Sequence, residues 1–259
     1  MDNPIILGTV ASLLAGGATA IGAAFIFFFR NKMSEAVEDA LLSTAAGIML
    51  AATMFSLIHP AFETAQELGF SSIVSALHVV LGIFLGVLVL SLIHKMLPHE
   101  HFFSGQENVS GVKVRRMWLF IIAITIHNIP EGMAVGVGFG SGEINRGLPL
   151  ALGIAAQNIP EGFAVAAALL SIRYSARKAF LISTLTGLLE VTGGFVGAAL
   201  SALSTQALPV VLSFAGGAML FVISDEIIPE THSRGNKTLA TWCLMIGFCA
   251  MFVLDVSFQ

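Results

Sequence analysis

Two stretches thirty residues apart carry the groups best suited to chemistry in this chain. His127-Asn128-Ile129-Pro130-Glu131-Gly132 is matched by Gln157-Asn158-Ile159-Pro160-Glu161-Gly162, and each copy continues through one apolar residue into Ala-Val. On a helix, residues four apart share a face, so His127 stands over Glu131 and Gln157 over Glu161. Each proline removes a backbone hydrogen bond and is expected to kink its helix. Carbonyls freed at such a break are tolerated where they line a cavity. Imidazole nitrogen, carboxylate oxygen and amide oxygen together suit Zn²⁺, Fe²⁺, Mn²⁺ or Cd²⁺ better than soft Cu⁺. One imidazole among so many oxygens does not resemble a closed structural zinc site rich in Cys and His. The donor set reads as a labile one.

The elements that hold these motifs must sit in lipid. Of 259 residues, 56% are hydrophobic and 11% charged, against about 25% charged in soluble domains. A net charge of −4 offers nothing to nucleic acid. The two cysteines, Cys243 and Cys249, form neither a disulfide framework nor a CxxC metal pair and read as core residues. A window of about 20 apolar residues gives eight helical spans in one all-α transmembrane domain over 1–259: about 4–29, 36–60, 72–94, 115–138, 147–171, 178–203, 208–229 and 238–256. The first is read as a true span because only Asp2 precedes it and a signal peptide needs a basic leader.

Charge orients the spans. Eleven of the 12 basic residues flank the loops after spans one, three, five and seven, and only Arg146 falls on the other side. The positive-inside rule then places both termini outside the cytoplasm. The loop 95–114 is cytoplasmic, with His94, His99 and His101 at its start as loose metal-binding candidates.

Glu131, Glu161 and Glu190 fall near the middles of spans four, five and six. A charge at that depth costs about 2.5–3.5 kcal/mol on insertion scales. No Lys or Arg lies in a span interior, which leaves a proton or a metal ion to compensate. A kink with a protonated glutamate is the plainer reading of one Pro-Glu-Gly. A second copy together with His127 and Glu190 tells against it.

The duplicated motif and the histidine-bearing loop closely resemble the ZIP (Zrt-, Irt-like) family of divalent-metal transporters. Gln157, where many members carry His, resembles the bacterial GufA-like branch. The resemblance implies a binuclear transport site. His127, Glu131, Gln157 and Glu161 would hold one ion; Asn128, Glu131, Asn158, Glu161 and Glu190 would hold the second. Asn158 stands where a relative carries Asp, with the loss of one negative charge. The resemblance also implies a homodimer in the inner cell membrane and flux toward the cytoplasm. Spans one, four, five and six would move as an elevator against spans two, three, seven and eight.

Topology and resemblance together place Met49, Ser56 and Asp255 at the outer mouth. Glu226, Glu230 and His232 form a candidate exit relay at the inner mouth. His59 and Glu63 read as surface groups, and His78 as a satisfied packing residue. Glycines of spans one and six, Gly16, Gly17, Gly22, Gly193, Gly194 and Gly197, would let helices approach closely. The expected function is secondary transport of Zn²⁺, or Cd²⁺, Fe²⁺ or Mn²⁺, with no catalytic residues and no cofactor beyond the transported ion. An intramembrane metalloenzyme is one rival, though HExxH is absent and the order here is His-x-x-x-Glu. A proton or solute transporter without metal is the other.

Overall fold

The computed structural model describes residues 3–28, 34–96, 109–140, 142, 144–172 and 174–257. Within these, the side chains of 35, 94, 96, 109–117, 119, 120, 123, 127, 146, 171, 203 and 205 are left aside. All regular structure among the described residues is helical. Helix α1 (Pro4–Ala24) starts at Asn3, whose side chain accepts from the Ile5 N–H at 2.9 Å, with Pro4 in the first turn. Such a cap contributes about 1 kcal/mol, and proline is tolerated there because its missing N–H would find no helical partner. Ser34 and Ser175 cap α2 (Glu35–Ala52) and α7 (Ala176–Leu188) in the same way.

Among the described residues six segments are long and apolar enough to cross a membrane: Pro4–Phe27, Ala36–Glu67, Ser72–Ile93, Ala176–Ala202, Leu208–Ser233 and Lys237–Val256. The two motifs lie on α5 (Val109–Gly140, 32 residues) and α6 (Ile144–Ser171, 28 residues). Both helices run through Pro130 and Pro160 without interruption.

Breaks occur elsewhere. The second segment consists of α2, a π-helical turn Thr53–Ile58, and α3 (His59–Glu67). The segment Leu208–Ser233 consists of α9 (Leu208–Val222), a π-helical turn Ile223–Ile227, and α10 (Ile228–Ser233). Each π-turn ends just before a proline, Pro60 or Pro229, which has no N–H to give the carbonyl four residues back. The widened turn re-pairs the backbone: the His59 N–H bonds Met54 O, and the Ile228 N–H bonds Ile223 O. The segment Ala176–Ala202 breaks at Leu189, between α7 and α8 (Glu190–Leu203), where Thr186 Oγ1 and Thr192 Oγ1 each donate to backbone carbonyls at 2.7 Å. Threonine hydroxyls that bond the backbone compete with the helical ladder. Glu190 therefore begins a helix.

The helices sort into two sets by their largest interfaces. In one, α5 packs on α8 and α1 on α6, α8 and α5; in the other, α11 (Lys237–Val256) packs on α2 and α4 (Ser72–Met96) on α9. The sets meet mainly through α2 against α6 and α5 against α9. Within each set, glycines bring backbones into contact. A Cβ at Gly22 would overlap Ile159 O, and one at Gly132 would overlap Glu190 O. Gly47 and Gly217 are likewise closed off by Leu244 O and Ile83 O. Between the sets contact runs through side chains, as where Gly153 faces the flexible Met251. The main apolar core, with Met49, Leu57, Leu150, Ile154, Met219 and Met251, fills that boundary.

The outer helices bury one narrow stripe each. On α4 it is Ser75, Val79, Gly82, Gly86 and Leu90; on α11 it is Ala240, Leu244, Gly247, Met251 and Asp255. The remaining faces expose Phe84, Leu88, Trp242, Ile246 and Val253, as lipid requires. Cys243 and Cys249 fall off the α11 stripe. They are half-buried and exposed, not core residues as their type suggested.

Candidate metal centre

Six of the seven midplane candidates are buried in the first set, and hydrogen bonds join four of them in two pairs, Gln157 with Glu131 and Asn158 with Glu190. Asn128 and Glu131 come from α5, Gln157, Asn158 and Glu161 from α6, and Glu190 from the start of α8; all are buried. His127 occupies α5 one helical turn before Glu131, and its side chain lies outside the described residues. Burial at this depth demands compensation, and the described part of the site supplies amides. Gln157 Nε2 donates across to Glu131 Oε1. Asn158 Nδ2 donates to Glu190 Oε1 at 2.5 Å and to the main-chain oxygen of Ala15 at 2.9 Å.

An amide that spends its N–H₂ group on a carboxylate turns its oxygen elsewhere. The oxygens of Asn128, Gln157 and Asn158 are buried and meet no donor among the described residues. Buried acceptors are nearly always satisfied, so these are the atoms a cation fits best. Oxygen of carboxylates and amides is the donor class of hard and borderline divalent ions. Among the described residues no three His, Cys, Asp or Glu side chains stand close enough to hold one ion. Half of the described candidates are amides, which lie outside that residue set.

The outer-mouth candidates separate. Ser56, in the first π-turn, donates its hydroxyl to Asp255 Oδ1 at 2.7 Å, and both are buried. Met49 is wholly buried in the apolar core two turns earlier. His59 and Glu63 form an exposed pair at 3.6 Å. His78 is satisfied by Val74 O at 2.8 Å and stacks on Phe70 with centroids 4.7 Å apart.

At the other end, Glu226 is half-buried in the second π-turn. Glu230 bonds Arg234, whose Nη1 also reaches Glu38 Oε2 at 2.7 Å and Asp39 Oδ1 at 3.7 Å. Asn236 Nδ2 donates to the other Asp39 oxygen at 2.8 Å. Burial alone would lower the Arg234 pKa, but the hydrogen bond and charge of Glu230, then those of Glu38, hold it above its ordinary value. His232 is engaged by Ile228 O at 3.0 Å and Thr241 Oγ1 at 3.3 Å. The His94 side chain and the whole of His99 and His101 lie outside the described residues.

Two contacts at the site were not foreseen from sequence. Ser12 Oγ donates to the main-chain oxygen of Glu190 at 2.6 Å, and the Ala15 carbonyl anchors Asn158. A lone Ser in an apolar span gives no sign of this partner. Arg234 with Glu38 and Asp39 was also missed, though basic and acidic residues at facing helix ends are the usual sign of such a cluster.

Comparison with known proteins shows the family of the chain. Residues 94–255 match the family model described as ZIP zinc transporter. The chain is 44% identical to the zinc transporter GufA of Myxococcus xanthus over 96% of this chain and 98% of that one. It is 42% identical to the zinc transporter ZIPB of Bordetella bronchiseptica, over 97% and 80% of the two chains. It is 31% identical to the zinc transporter ZIP11 of Homo sapiens, over 97% and 96%. All three are named as transporters, not enzymes. The buried amide–carboxylate cluster thus sits in a chain that belongs to the ZIP family.

Proposed function

We propose that this protein is a secondary carrier that moves divalent transition-metal ions, zinc foremost and iron, manganese or cadmium besides, across the inner cell membrane into the cytoplasm. The observation that carries this reading is the pairing of buried Glu131 with Gln157 and of buried Glu190 with Asn158, whose amide oxygens, like that of Asn128, meet no donor among the described residues. Helices α5 and α6 act as two further spans, giving eight, with both termini outside. The site comprises two adjoining half-sites that share Glu131 and Glu161. His127 and Gln157 complete one; Asn128, Asn158 and Glu190 complete the other.

An ion enters past Asp255, Ser56 and Met49 and exchanges water for these ligands. The set holding α1, α5, α6 and α7–α8 then shifts against the other, elevator fashion. The side-chain character of the boundary supports such sliding, because flexible groups such as Met251 re-pack where backbone seams cannot. Release runs toward Glu226, Glu230 and His232 and the histidines of the 95–114 loop. Proton and metal compete for a carboxylate, so acid on the release side favours unloading. Two copies of the chain form the working unit.

Zinc or cadmium uptake into proteoliposomes tests the reading. Uptake is expected with the intact chain and lost in Glu131→Ala and Glu161→Ala. A crystal grown with Cd²⁺ is expected to show an anomalous peak among His127, Glu131, Gln157, Glu161 and Glu190, and its absence overturns the assignment. Unchanged metal binding in Glu131→Ala favours a proton or solute carrier instead.

A further inference from the structure

At one end of the first helix set, α1 and α6 finish and α5 and α7 begin. A small core of Ile26, Ile121, Phe163, Leu169 and Ala179 joins them there. The stretches of sequence that run through this end, 25–33, 109–118 and 170–180, hold eight basic residues and no acid. The corresponding stretches of the second set, 34–40, 91–96 and 225–237, hold three basic residues and six acids, so the two ends differ as +8 and −3. The positive-inside rule accounts for bases on one side of a membrane, not for their gathering on one of two helix sets there.

Five of the eight stand on described helices: Lys113, Arg115 and Arg116 in the first two turns of α5, and Arg177 and Lys178 in the first turn of α7. The start of a helix is the positive end of its dipole, so bases are disfavoured there and do not serve the helix itself. Arg177 and Lys178 are exposed, and among the described residues neither has a carboxylate within ion-pair distance. Aromatic residues lie at the same end. Trp118 and Tyr174, both half-buried, meet edge to face with centroids 6.0 Å apart. Phe27 packs on Phe180 at 5.5 Å, and Phe27 and Phe28 stay 50% and 81% exposed. Trp and Tyr favour the depth of lipid headgroups, and exposed Phe beside them fits acyl chains.

We infer that this end of the first set is a docking surface for anionic phospholipids of the cytoplasmic leaflet, in which Arg177 and Lys178 meet the headgroup beside Trp118 and Tyr174. The inference goes beyond the proposed function and takes from it only the orientation of the chain. A basic residue near an anionic leaflet gains about a 5-fold preference for it. A zwitterionic headgroup has no net charge to offer, and the acidic end of the second set repels an anionic one. Lipid thus grips the set proposed to shift and leaves the stationary set alone.

The two tryptophans of the chain make the test site-resolved, since Trp118 lies at this end and Trp242, 67% exposed, lies early in α11. Bromine on an acyl chain quenches the fluorescence of a tryptophan beside it. Full-length Trp242→Phe and Trp118→Phe proteins are reconstituted in phosphatidylcholine vesicles containing brominated phosphatidylglycerol or brominated phosphatidylcholine at the same mole fraction. At Trp118 the anionic lipid is expected to bind about 5-fold or more tightly than the zwitterionic one, and at Trp242 the two are expected to bind alike. Arg177→Gln/Lys178→Gln, added to Trp242→Phe, is expected to lower the ratio at Trp118 to less than about half. Equal binding of the two lipids at Trp118 overturns the inference. An equal preference at both tryptophans overturns it too, because the anionic lipid is then drawn to the whole surface. A ratio unmoved by the double substitution overturns the assignment to Arg177 and Lys178. The comparison of Trp118 with Trp242 decides even if the triply substituted protein does not fold. Quenching needs neither metal nor transport, so its failure is distinct from a failure of zinc uptake.

Discussion

The helix set of α1, α5, α6 and α7–α8 and the set of α2–α3, α4, α9–α10 and α11 are both sewn by glycine-backed backbone contacts, yet they treat buried charge differently. In the second set, Arg234 lies against Glu38, Asp39 and Glu230, so acids meet a guanidinium. In the first, the described partners of Glu131 and Glu190 include the neutral amides of Gln157 and Asn158. An amide donates a hydrogen bond without adding a positive charge, whereas Arg234 brings one to its carboxylates. Under the proposed function the first set receives the ion and the second stays still.

The largest expected effect tests the receiving set. Glu131→Ala should lower zinc uptake in proteoliposomes by at least about 100-fold while the melting temperature holds or rises, since a costly buried carboxylate is gone. A fall in melting temperature matching the loss of uptake would erase the contrast. Next is Gly132→Ala, which drives a methyl into Glu190 O and should cost about 1–3 kcal/mol or more, with loss of uptake. Its counterpart at the boundary, Gly153→Ala, meets only the end of Met251 and should cost under about 1 kcal/mol. Equal costs would show that the seams and the boundary are alike.

Arg234→Ala probes the holding set. It strips three partly exposed or buried carboxylates of their cation and should cost about 1–3 kcal/mol in thermal or denaturant unfolding, with cadmium affinity at the midplane unchanged. Smallest is Asp255→Asn, which keeps an acceptor for Ser56 but removes a charge at the proposed entrance. It should raise KM for zinc about 3–10-fold with kcat held.

The donor set was legible in the sequence because it is a repeat. Two copies of Asn-Ile-Pro-Glu-Gly fix spacing, and helical geometry turns spacing into a shared face. Six of the seven midplane candidates can be followed to their side chains: all six are buried, and four of them are joined in two hydrogen-bonded pairs. What stayed hidden depends on partners far along the chain. Ser12 and Glu190 lie 178 residues apart, and Arg234 and Glu38 lie 196 apart, so no local pattern joins them. The direction of the Asn158 amide was equally invisible, since it is set by a main-chain carbonyl of α1. The break at Leu189 had only threonines and a glycine to announce it, where Pro130 and Pro160 announced kinks and their helices ran on. Proline inside a long helix is weaker evidence of a break than hydroxyls that compete for the ladder.

The two π-turns carry a consequence for rotational phase. On Ala36–Glu67 the buried residues Met49, Thr53, Leu57, Ala61 and Ala65 recur at every fourth position, as do Ala215, Met219, Ile223, Ile227 and Thr231 on Leu208–Ser233. A regular α-helix advances about 100° per residue, so each such step drifts about 40°, and four steps carry the stripe about 160° around the axis. One extra residue in a π-turn takes up about 100° of that drift and keeps both ends of the helix facing the core. Deleting one residue from Thr53–Ile58 would return the segment to regular pitch. Because that residue contributes no net rotation, Ala61 and Ala65 would keep facing the interior.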